Sequence, residues 1–178
     1  MTATQWPAVV DALVELARAL PGHRGPADNS DEDLVLVLDG PEFELTGDLA
    51  PTFLIVGGAL DVDGEGHGES GQAVATLGRH DRDDSGEVRC QVVAQTGGLV
   101  LPSDVVTVGR ETVKALRDRA RAVLDGIDAA VRADVTLGIT ARRMVAEIGP
   151  RITFRQYQVD GGGAVVSIEF VVAFKSRI

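Results

Sequence analysis

Apolar and polar residues alternate most cleanly over the final segment, AVVSIEFVVAFKSRI. Val166, Ile168, Phe170, Val172 and Phe174 share one face; Ser167, Glu169, Lys175 and Arg177 share the other, with Val165, Val171 and Ala173 between them. A period of two with one apolar face predicts a strand lying on a core. Upstream, ITFRQYQVDGGG alternates Ile152 and Phe154 with Arg151, Thr153 and Arg155, and Gly161 to Gly163 supply a turn, so the two segments read as a closing hairpin. The chain closes on a scaffold strand. Such a strand is expected to leave an edge open to a neighbour.

Helical spacing takes over elsewhere. In TQWPAVVDALVELARALPG, Trp6, Val9, Val10, Leu13, Leu16, Ala17 and Leu20 form one stripe, with Asp11, Glu15 and Arg18 off it. Thr4 is the expected N-cap, Pro7 suits the first turn, and Pro21-Gly22 stops the helix. A second helix is predicted over ETVKALRDRARAVLDGIDAAVRAD. Its stripe is Val113, Leu116, Ala120, Val123, Leu124, Ile127 and Val131. Between the helices, LVLVLDG (34–40) and TFLIVGGAL (52–60) read as short strands covered on both faces, separated by loops at 22–33 and after Gly40. Residues 61–71 read as an acidic loop. GQAVATLGR and GEVRCQVVAQTGG read as a hairpin around the tip RHDRDDSG. The order predicts a single α+β domain over residues 1–178, a mostly antiparallel sheet with two long helices packed on one face.

Charge narrows the function. The 178 residues hold 27 Asp and Glu against 17 Lys and Arg, a net −10 with only two lysines, Lys114 and Lys175. Nucleic-acid binders need a basic patch to displace counterions, so tight DNA binding is not expected. No apolar run approaches the ~18 residues that span a bilayer, and MTATQWPAVV lacks the pattern of a signal peptide, so assembly in the cytoplasm is expected. The single cysteine, Cys90, excludes an internal disulfide and reads as a core residue.

Candidate chemistry is sparse. Counted from Asp61, the oxygen ligands Asp61, Asp63, Glu65 and Glu69 fall at positions 1, 3, 5 and 9 with Gly66 at 6, which resembles a helix–loop–helix calcium site. Position 12 is Gln72 where a bidentate Glu is needed, and the flanks read as strand, so a solvated loop is the expectation. His23, His67 and His80 sit in loop-like segments without the spacing of a zinc site. Nucleophile elbows, phosphate loops and dinucleotide fingerprints are absent from the sequence. No catalytic, cofactor or metal site is expected.

Four stretches carry a family resemblance: the first helix followed by LVLVLDGPEFE; TFLIVGG running into an acidic, glycine-rich loop; the helix close DGIDAAVRADVTLG; and the final MVAEIGPRITFRQYQVDGGGAVVSIEFVVAFKSRI. In this order they resemble the tail terminator proteins of long-tailed (siphovirus-type) phages and prophages of actinobacterial hosts. The resemblance implies a structural virion protein at the head-proximal end of the tail. Such proteins form a ring, generally hexameric, that caps the tail tube and stops its polymerisation. The ring then offers the docking surface for the head-completion or connector protein, and DNA passes through it without specific binding. The implied partners are further copies of the chain, the major tail tube protein and the connector, with no membrane. Two alternatives stand beside it: another neck or head-closure adaptor, and a small divalent-ion-binding module using loop 61–69.

The best interface candidate is Arg142, Arg143, Arg151 and Arg155, cations on the closing hairpin and its approach in an otherwise acidic protein, with a solvated face as the ordinary reading and a DNA contact as the third. Their natural partners across a subunit boundary are the carboxylates of Asp61, Asp63, Glu65 and Glu69, or those of 81–87.

Overall fold

The computed structural model describes residues 4–24, 35–40, 52–58, 68–74, 82–95, 110–140, 142–159 and 163–177. The loops expected between 25 and 33, after Gly40 and at 61–67, and the connection at 97–109, lie outside the described residues. Two helices, α1 (Trp6–Arg18) and α2 (Arg110–Ala133), accompany one sheet. Its strands are β1 (His23–Arg24), β2 (Val35–Asp39), β3 (Thr52–Val56), β4 (Gly68–Val74), β5 (Arg82–Gln95), β6 (Arg142–Val159) and β7 (Gly163–Arg177). The sheet order is β1-β2-β3-β5-β7-β6, with β4 also paired to β5. The α+β class is as expected, but two details are corrected.

First, the sheet is mixed. β1 runs parallel to β2 and β2 parallel to β3, while β3–β5, β4–β5, β5–β7 and β6–β7 are antiparallel. Parallel neighbours need a connection of about a dozen residues, and β2 and β3 are separated by residues 40–51 in the sequence. The burial of β2 and β3 on both faces, complete along β3 and broken in β2 only at half-buried Leu36 and exposed Asp39, belongs to such strands. Second, the helices are not both long: α1 has 13 residues and α2 has 24.

Both helices do lie on one face. Val9, Leu13 and Ala17 of α1 and Leu116, Ala120, Val123, Ile127 and Val131 of α2 join one buried cluster with alternate sheet residues. Those include Val37, Leu54, Val88, Val92, Val166, Ile168, Phe170, Val172 and Phe174. The opposite phase of the central strands buries a smaller group, Leu38, Phe53, Ile55, Val93 and Val165. Cys90 belongs to the helix-side core, and burial pushes its thiol pKa up to about 12. Protonation and burial together make it inert.

Strand limits shift the predicted loops. β4 starts at Gly68, so Gly68, Glu69, Ser70 and Gly71 belong to a strand instead of the acidic loop, and β5 starts at Arg82, inside the predicted tip. His23 is a buried strand residue whose Nδ1 lies 3.1 Å from the Pro21 carbonyl oxygen, not a loop histidine. The N-cap of α1 is Gln5, not Thr4, and the Gln5 side chain makes no capping bond. Asp84 of β5 takes that role from across the sheet: its carboxylate accepts Thr4 Oγ1 at 3.0 and 3.2 Å and the Gln5 N–H at 2.5 Å.

The turn after α2 is built on Asp134. One carboxylate oxygen accepts both Thr136 Oγ1 (2.6 Å) and Thr136 N–H (3.0 Å), and the other accepts Gly138 N–H (2.9 Å). Leu137 and Gly138 take left-handed conformations (φ 52° and 67°), a geometry that suits glycine at the second position. Ala146 N–H then donates to the Val135 carbonyl at 2.7 Å, tying the turn to β6. The Ala-Asp-x-Thr-Leu-Gly wording is therefore an Asp-centred turn that launches β6. The Thr136 hydroxyl, then its N–H and that of Gly138, hold the Asp134 pKa below the ordinary carboxylate value. A lowered folded pKa gives stability that is complete above the unfolded value of ~3.9 and is lost as pH falls through the folded one. Asp134→Ala is thus expected to lower the melting temperature at neutral pH, with the gap to wild type closing in acid. A gap unchanged between pH ~7 and ~2 would remove the carboxylate charge from the account.

Candidate assembly surface

The sequence pattern suggests the open edge at the terminal strand, and the structure moves it. β7 is internal, hydrogen-bonded to β5 on one side and to β6 on the other. The edge is β6, eighteen residues long. β6 was legible as ITFRQYQV, but it begins ten residues earlier, at Arg142, and bends twice. Register shifts fall between Arg142 and Val145 and between Ile148 and Ile152. Arg143 sits in the first irregularity with φ 54°. Pro150 sits in the second, where a residue without an N–H is tolerated. Gly149 beside it has no room for a side chain, because a Cβ there would lie 2.6 Å from Val171 Cγ2.

The first irregularity reverses which residues face the helices; the second shifts the register by two and keeps the phase. Before the second one, Ala146 and Ile148 lie opposite Phe174 and Val172; beyond it, Ile152 and Phe154 lie opposite Phe170 and Ile168. All belong to the helix-side face. Yet Phe170 and Ile168 are buried, while Ile152 and Phe154 are each 50% exposed. The outermost strand thus carries two large apolar side chains that its own helices do not cover. Val145, on the helix-free face, is 48% exposed.

The four predicted arginines do not form one cluster. Arg143 and Arg155 are twelve residues apart on the strand, roughly 40 Å when extended. Arg155 is engaged within the subunit: its Nη2 lies 3.4 Å from Glu169 Oε1, while Arg89 Nη2 lies 3.2 Å from Glu169 Oε2. The pairing follows from register. Glu169 faces Gln91 and Thr153, so Arg89 and Arg155 are its diagonal neighbours on the two flanking strands. Arg89 was not anticipated, because strand register cannot be read from either segment alone.

Arg151 lines a shallow groove of about 260 Å³ on the helix-free face, together with Thr153, Glu87, Arg89 and Glu169. A second groove, about 490 Å³, lies at the other end of the hairpin. Arg143, Val145, Glu147, Lys175 and Arg177 line it, and Arg177 Nε pairs with Asp83 Oδ1 at 3.2 Å. Arg142 belongs to β6 through its backbone, opposite Arg177.

Asp61, Asp63 and Glu65 lie outside the described residues. Glu69 is in β4, its backbone opposite Glu87, which places it three strands from β6, roughly 14 Å across the sheet. Among the described residues, no three His, Cys, Asp or Glu side chains converge as metal ligands, and no helix is long and apolar enough to cross a membrane. No protein-family model matches the chain, and no curated protein matches it in sequence.

Proposed function

We propose that this chain is a structural subunit of a phage tail, of the tail terminator kind. It acts by assembly and steric blocking, without catalysis or cofactor. Copies close into a ring on the head-proximal end of the tail tube. One ring surface matches the tube protein; the other lacks what a further tube ring needs and receives the head connector. The observation that carries the reading is β6, an edge strand with Ile152 and Phe154 half exposed. Uncovered strand edges bearing apolar side chains invite pairing, and an assembly subunit covers them against a neighbour. The resemblance noted in the sequence and the order of helices and strands support it further. An acidic ring also suits a channel for DNA, because like charge discourages the polyanion from sticking.

The test is light scattering after size exclusion, with negative-stain imaging of the same peak, with and without purified tail tubes. The expected result is an annular oligomer in solution, or rings seated on tube ends that stop further growth. A protein that stays monomeric and leaves tubes growing would overturn the reading. If its melting point also rose with calcium, the acidic segment 61–69 would become the site to pursue.

A further inference from the structure

Six consecutive residues of β6, Arg151 to Gln156, are all exposed, although Ile152 to Gln156 pair with β7 residue by residue. Upstream of Pro150 the same strand alternates, with Met144 and Ala146 buried between exposed Arg143, Val145 and Glu147. The bulge around Pro150 thus divides β6 into an anchored half and a half open on both faces. Alternate N–H and C=O pairs of a strand point to either side, so the outer side of this half presents unpaired groups among the described residues. Its two faces differ in chemistry. Ile152 and Phe154 stand on the helix side, and Arg151, Thr153 and Arg155 on the other. Arg151 has no ion pair among the described residues, and Arg155 shares Glu169 with Arg89, so these cations are only partly neutralised. The helix layer adds more. α1 packs over β1, β2, β3 and β5, and α2 over β5, β7 and β6. Gly126 marks the α2 flank nearest α1, since a Cβ there would lie 3.8 Å from Leu20 Cδ1. At about 100° per residue, Arg117 and Arg121 fall on the opposite flank, the one toward β6, and both are exposed. On that flank Arg121 reaches Asp125 only at 3.7 Å, while Asp128 is already held by Arg132 at 2.8 Å.

Resting on the reading of β6 as an assembly edge, we propose that Arg151 to Gln156 form a docking strand for an extended segment of a different protein, one in which acidic and apolar residues alternate. Such a segment adds to the sheet as its next strand: main-chain hydrogen bonds hold it, and alternate side chains select it. In the pleat its apolar residues fall beside Ile152 and Phe154, and its carboxylates beside Arg151 and Arg155. Charge complementarity selects this occupant over a second copy. Beyond Pro150 the helix-free face of β6 holds Arg151, Thr153 and Arg155 and no acid, so two β6 strands set cations beside cations in any register. The other described strands that pair on one side only, β1 (HR) and β4 (GESGQAV), lack the alternation.

The test titrates the full chain into a fluorescent synthetic peptide of about seven residues in which glutamate alternates with valine, read by anisotropy at ~150 mM salt. It should bind at least about tenfold tighter than a lysine–valine counterpart, and than a peptide of the same composition with its glutamates and valines in two blocks. Arg151→Glu should lose at least about tenfold for the glutamate peptide and gain for the lysine one, with an unchanged circular-dichroism melt. Phe154→Asp should weaken both, Arg151→Glu serving where Phe154→Asp folds poorly. Methylating every second peptide nitrogen should abolish binding in one phase and spare it in the other, because only one phase faces β6. Absence of binding at ~1 mM, equal binding of the three peptides, or indifference to both variants overturns the proposal. Equal effects of the two methylation phases, or duplex DNA bound in preference to the peptide, also overturn it. A chain that seats on tail tubes but binds no peptide keeps the assembly reading and loses this one. Peptide binding by a chain that ignores tubes does the reverse.

Discussion

Replacing Phe170 by alanine is expected to destabilise the protein by about 4 kcal/mol, a fall in melting temperature on the order of 10 °C. The ring is 1% exposed, at the centre of the helix-side core on β7. Truncation removes most of its buried surface and leaves a cavity that neighbours on three strands and a helix cannot collapse to fill. The contrast is Phe154, which faces the same way one strand further out, opposite Ile168, and is half exposed. Phe154→Ala should change the monomer's stability by no more than about 1 kcal/mol, because little of its surface is buried to begin with. The measurement is thermal or urea unfolding of both variants under conditions that keep them monomeric. Similar losses in both would mean that β6 is packed more deeply than its exposure indicates. Two phenylalanines on adjacent strands thus differ in their work: one holds the scaffold, and the other is left half exposed.

That division was only half legible in the sequence. Period-two alternation placed Val166, Ile168, Phe170, Val172 and Phe174 on a core face, and each is buried. Helical spacing found the α2 stripe nearly as well: Leu116, Ala120, Val123, Leu124, Ile127 and Val131 are buried, and Val113 is half-buried. These signals are local. Ile152 and Phe154 gave the same alternation, but their exposure depends on β6 being outermost and on where α2 ends. Neither is written in the segment itself. The parallel pairing of β1, β2 and β3 was missed for a related reason. LVLVL and TFLIV are apolar on both phases, so the pattern fixes neither direction nor partner.

The surface was less legible than the core. The arginines of β6 were visible as a cationic set, but the set breaks up once register is known. Arg155, though exposed, closes on Glu169, Arg143 stands at the far end of the strand, and Arg151 lies exposed beside Ile152. The Glu169 clamp required two registers at once, β5 with β7 and β7 with β6, because Arg89 and Arg155 come from different strands.

Asp84 shows a signal that was present and read too weakly. It stands in DRDDSG, which composition marks as a polar tip, yet it is in phase with Val88, Cys90 and Val92 on the core face of β5. A carboxylate in that phase must find donors, and it finds them at the start of α1, where free N–H groups are in excess. The Thr4 hydroxyl and the Gln5 N–H both donate to it, and the side chain is fully buried. Trp6 adds a second tie, its indole N–H donating to the Glu87 carbonyl at 3.2 Å. Asp84→Ala should therefore cost about 2 kcal/mol, because it removes a charged cap and strands a backbone donor at a buried helix end. Asp84→Asn should recover part of that loss, since one amide oxygen can still accept from Gln5. The reading of Asp84 as a remote cap requires the damage to spread to α1. Hydrogen exchange should rise first at the amides of Val9 to Leu13, ahead of β6 and β7. Loss centred on β5 alone would make Asp84 a strand residue and nothing more.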